Sequence, residues 1–133
     1  MNVHWRHVAA LGALCAAATT VRGQEESPSV PSGMHLTLQE VLEDLQPDGA
    51  LWLRLRYVAP DMTRDSRAAM EEDFEALCLS QALAYQPVSG EAAAETVISI
   101  ASAPVEFGAN APEVIQFFEV FRLADGTCIW EGF

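Results

Sequence analysis

The dipeptide Asp125-Gly126, set between two runs of alternating residues, constrains the fold of this chain more than any other feature. Asp-Gly readily supplies the positive φ values that both central positions of a two-residue hairpin turn require. Taken literally, the turn places Leu123 opposite Cys128 and Phe121 opposite Trp130 on one face, which is wholly apolar. Arg122 then opposes Ile129, Val120 opposes Glu131 and Phe118 opposes Phe133 on the other. A slip of one residue would exchange the two faces. Cys128 and Trp130 are thus expected to enter a core, with Glu131 facing out.

A helix is the natural cover for that apolar face. From about Asp65 to Ala84 the chain reads as one long helix, with Met70, Phe74, Leu77 and Cys78 in an apolar stripe. Glu71, Glu72, Asp73 and Glu75 fall largely off the stripe and read as a solvated face; they lack the spaced ligands and central glycine of a calcium loop. Ala50 to Val58 (ALWLRLRYV) alternates as a half-buried strand, and Thr96 to Ser102 is a second, β-branched one. Val105 to Gly108 reads as a short extension or a bulge, followed by one helical turn at Asn110 to Glu113 and a strand from Gln116 to Leu123. Near the start, Thr37 and Glu40 have capping-box spacing, and Leu38, Val41, Leu42 and Leu45 fall at i, i+3, i+4 and i+7. That spacing predicts a short helix, with a strand as the alternative. The fold expected is α+β: about four strands, mainly antiparallel, with one long helix packed on one face.

The first 23 residues read as a secretory signal: Arg6 with two histidines precedes an apolar, small-residue run from Val8 to Val21. The run is shorter than the ~20 predominantly apolar residues of a spanning helix. Cys15 lies within it, after Leu14 rather than the small residue that lipoprotein processing requires. Residues 24–35 contain two prolines and no periodicity and read as a flexible tether, leaving 36–133 as a single domain. Export to a periplasm or the extracellular space makes the remaining even pair, Cys78 and Cys128, a disulfide. It would pin the helix to the hairpin.

Beyond residue 23 there are five arginines, no lysine and nineteen carboxylates, a formal charge of −14. Nucleic acid is a poor partner for such a surface. His35 is the only histidine in this region, so neither a Ser-His pair nor a multi-histidine metal site can be assembled. No catalytic residues, metal ligands or cofactor motif stand out. One constellation does: Trp52, Arg54 and Arg56 share one face of a strand and suggest a small site for an acidic ligand or a partner's carboxylate. The competing reading is that Arg54 and Arg56 pair across the sheet with glutamates such as Glu119 or Glu131, surface bridges that stabilise little.

The stretches VEFGANAP and DGTCIWEGF resemble a family of short exported proteobacterial proteins of unknown function. The resemblance covers about Val30 to Phe133 and implies no catalytic residues. The function expected is a non-catalytic exported module that binds a protein or an envelope component. The alternative is a small envelope enzyme, either a carboxylate-only hydrolase or a thiol-disulfide protein.

Overall fold

The computed structural model describes residues 26–132; the signal segment, Cys15, the start of the tether and Phe133 lie outside them. Five strands form one sheet in sequence order: β1 (Thr37–Leu45), β2 (Leu51–Val58), β3 (Glu95–Ala101), β4 (Gln116–Ala124) and β5 (Thr127–Trp130). Adjacent strands are antiparallel except β2 and β3, which run parallel. Parallel neighbours need a crossover connection. Here it carries a short helix, α1 (Glu71–Leu77), continued by a single π-helical turn (Cys78–Ala82).

Three expectations are corrected. The sheet has five strands, not four, because Thr37–Leu45 pairs with β2 instead of forming a helix. A bulge between Leu38 and Glu40 explains the misleading spacing. One extra residue lets Leu38 and Val41, three apart, both pack against the core, which mimics a helical step. The long helix is also absent: its first part is a 3-10 turn at Arg64–Ser66, and regular α-helix covers only seven residues. The expected helical turn at Asn110 to Glu113 is a hydrogen-bonded turn in which Val114 N donates to Ala111 O (3.0 Å).

The core lies between α1 and one face of the sheet. Leu53, Leu55, Tyr57, Ile98, Ile100 and Phe121 meet Met70, Phe74, Leu77 and Cys78, all buried. Asp73 departs from the solvated face expected of it. It is fully buried, accepting hydrogen bonds from Ser32 N (2.9 Å) and Ser32 Oγ. Residues 26–35, read as tether, therefore make defined contacts: Val30 and Met34 also pack on the core, and Glu26 O accepts from Leu38 N (2.7 Å).

The C-terminal hairpin has the expected turn and register. Asp125 and Gly126 have φ of 54° and 71°, and Leu123 faces Cys128, Arg122 faces Ile129 and Phe121 faces Trp130. Cys128 is joined to Cys78. Trp130, however, is not core filling: it is 62% exposed. It sits on β5, the edge strand, where α1 presents Glu71 and Glu75 beside it and not apolar side chains, and it donates its indole N–H to Glu119 Oε2 (2.7 Å). Gly132 lies directly against the indole, with an added Cβ only 2.7 Å from its Cη2.

Candidate functional site

Covering one face of the sheet leaves the other to be accounted for. Alternation along β2 turns Trp52, Arg54 and Arg56 away from the helix, onto the face they share with Val97 and Ser99 of β3 and Gln116, Phe118 and Val120 of β4. Together with the loop from Val105 to Ala109, these residues enclose a groove of about 460 Å³. The three residues singled out in the sequence thus line one concave surface.

Each arginine is held. Arg54 donates from Nε to Asp44 Oδ2 (3.0 Å), and its Nη2 lies 3.0 Å from the same oxygen in the ion pair. Arg56 is only 6% exposed; its Nη1 pairs with Glu40 Oε1 and its Nη2 donates to Val105 O (2.7 Å). The ion pairs expected with Glu119 or Glu131 are instead made with β1, because strand Thr37–Leu45 places Glu40 beside Arg56 and Asp44 beside Trp52 on the same face. Glu119 takes Arg67, and Glu131 lies 3.8 Å from Arg122.

Val105 O also accepts from Gln39 Nε2 (2.8 Å), so two side chains from the β1–β2 hairpin hold the loop down by one carbonyl. The loop delivers Phe107, whose ring centroid lies 5.2 Å from the Arg54 guanidinium carbon and 5.6 Å from that of Arg56. This is cation–π distance. Phe107 and Phe118 are nonetheless 57% and 56% exposed. Sequence reasoning had placed Phe118 on the outer face but not in a site, and nothing local in VEFGANAP shows that its phenylalanine returns onto β2.

At one end of this face Glu95, opposite Arg122 and beside Trp52, is pushed above the ordinary carboxylate range. Burial is the main cause, the charge of Glu131 adds to it and Arg122 offsets part. Its Oε2 is out of solvent and takes no hydrogen bond. On the opposite side of the sheet, Tyr85 donates to Glu43 Oε2 (2.9 Å), and burial with that carboxylate raises its phenol to about 12.

Cys78, fully buried, and Cys128 form the disulfide expected of them, closing a separation of 50 residues. Among the described residues, no group of three or more His, Cys, Asp or Glu side chains could hold a metal ion, and no helix is long and apolar enough to cross a membrane.

A family model described as a family of unknown function (DUF6497) matches residues 10–133. No curated protein and no solved structure matches the chain.

Proposed function

The chain belongs to that family of unknown function, DUF6497, and we propose that it is an exported, non-catalytic binding module whose ligand or partner enters the groove on the open face of the sheet. The observation that carries the reading is the groove itself: about 460 Å³, within the size range of small-molecule sites. Two of its wall side chains, Arg54 and Arg56, are fixed by ion pairs and hydrogen bonds. A preformed site of this kind loses little side-chain entropy on binding. Export is supported by the disulfide, which persists in oxidising compartments, together with the leader-like first 23 residues.

The enzyme alternative gains nothing specific here. A thiol nucleophile needs a free thiolate, and both cysteines of the described region are joined to each other.

The test is filling the groove. Ser99→Trp places an indole on its floor. Parent and variant, both oxidised, are immobilised and exposed to envelope extract at low and moderate salt, and retained proteins and small molecules are identified by mass spectrometry. A species kept by the parent and lost by the variant is the expected result. Equal retention by both, or none by either, would count against the groove as the binding site.

A further inference from the structure

Resting on that reading, we infer that the ligand of the groove is a small, uncharged molecule with a flat aromatic ring. The acidic ligand suggested by Arg54 and Arg56 in the sequence does not fit the site as built. Both guanidinium groups are matched by carboxylates, Asp44 and Glu40, and Glu106 contributes a further acid to the lining. An incoming anion meets a site with no surplus positive charge, on a protein carrying −14 beyond residue 23. A cation would meet the guanidinium groups of Arg54 and Arg56, which line the groove, and not their partners Asp44 and Glu40, which do not. Charge complementarity therefore selects a neutral group.

The walls then select its shape. Val97, Val105 and Val120 offer apolar contact, Trp52 and Phe118 offer ring faces, and Ser99 and Gln116 supply hydroxyl and amide groups for one or two hydrogen bonds. Aromatic rings pair offset or edge to face, a contact that adds about 0.5–1.5 kcal/mol beyond the area it buries. Phe107 already lies over both Arg54 and Arg56 and takes that contact for itself, so the rings left open to a ligand are the exposed ones. A ligand ring placed between Phe107 and Phe118 stacks on those two exposed rings instead.

The experiment uses one ring with three charges and one saturated control. 2-Naphthamide, 2-naphthoate, 2-naphthylmethylammonium and decalin-2-carboxamide are titrated separately into the ¹⁵N-labelled, oxidised protein, and amide shifts of Ser99, Phe118 and Val120 are followed by NMR. The naphthamide is expected to bind about tenfold more tightly than either charged analogue, the factor that ~1.4 kcal/mol of unfavourable charge interaction produces. It is expected to exceed the decalin amide by about fivefold, the factor set by an aromatic pair of ~1 kcal/mol. Phe107→Leu, at an exposed position, should erase the ring preference while leaving the decalin amide unaffected. Phe118→Ala, at an exposed position, should weaken both amides.

Tighter binding of the naphthoate overturns the uncharged class and restores an acidic ligand, with the groove still a binding site. Equal binding of the naphthalene and decalin amides overturns the aromatic class alone. If no probe moves the groove amides, this inference falls, while the binding reading stands or falls on the capture by parent and Ser99→Trp.

Discussion

Reduction of the Cys78–Cys128 bond should lower stability by an amount that follows from its place in the chain. The bridge joins the π-helical turn to β5 across a separation of 50 residues, so the unfolded chain is closed into a loop containing β3 and β4. The chain-entropy relation gives about 4 kcal/mol at 25 °C for a loop of that length. For a domain of this size, 1 kcal/mol at the midpoint corresponds to roughly 4–8 °C. The reduced protein should therefore melt some 15–30 °C below the oxidised one, provided that both share the native state. Reduction is preferable to substitution because Cys78 is fully buried, and Cys78→Ala would add a cavity to the lost cross-link. Urea unfolding followed by circular dichroism, with and without reductant, measures the difference directly. Midpoints that coincide would show that the bridge does not restrain the unfolded chain, and would refute the entropic account.

Three further outcomes are expected. Tyr57→Phe should raise stability by about 1 kcal/mol, because the phenol oxygen is buried without a hydrogen-bond partner; a lower urea midpoint would reveal a bond to its hydroxyl. Ser32→Ala should cost about 1–3 kcal/mol in the same assay, because buried Asp73 loses the Oγ donor; an unchanged midpoint would show that the carboxylate finds another. Glu95 is held above its ordinary 4.5 by burial first and Glu131 second. Its contribution to folding is complete below pH 4.5 and is lost as the pH rises through the folded-state value. Glu95→Gln should accordingly melt with the parent near pH ~4 and above it at pH ~7; a variant less stable than its parent at neutral pH would reverse the sign.

The elements legible from sequence were those whose signals are local. Asp125-Gly126 specified a turn and with it the pairing of Leu123 with Cys128, and the alternation of ALWLRLRYV specified both faces of β2. The first strand was misread because a bulge imposes a three-residue step on a two-residue repeat. Trp130 was misplaced because it lies on the edge strand and the part of α1 beside it presents Glu71 and Glu75, a juxtaposition set by a distant part of the chain. Trp52, Arg54 and Arg56 were recognisable as neighbours from β2 alone. Their ion-pair partners were not, since Glu40 and Asp44 come from the misread strand, nor was Phe107, which arrives from a loop with no periodicity.

The parallel seam between β2 and β3 has a consequence for how copies of the chain can combine. On either side of it, strands are joined by short turns or by the single loop over the groove, whereas the seam itself is bridged by residues 59–94. Contacts across so long a connection are costly to close and form late in folding. Cys78 follows β2, so the disulfide ties the crossover to the C-terminal hairpin and leaves the β1–β2 hairpin outside the covalent loop. Two chains can therefore exchange β1–β2 hairpins across their seams, each completing the other's sheet, without breaking a covalent bond. Such a swapped pair would retain both grooves, but each would be built from two polypeptides, with Arg54 and Arg56 of one chain beneath Phe107 of the other.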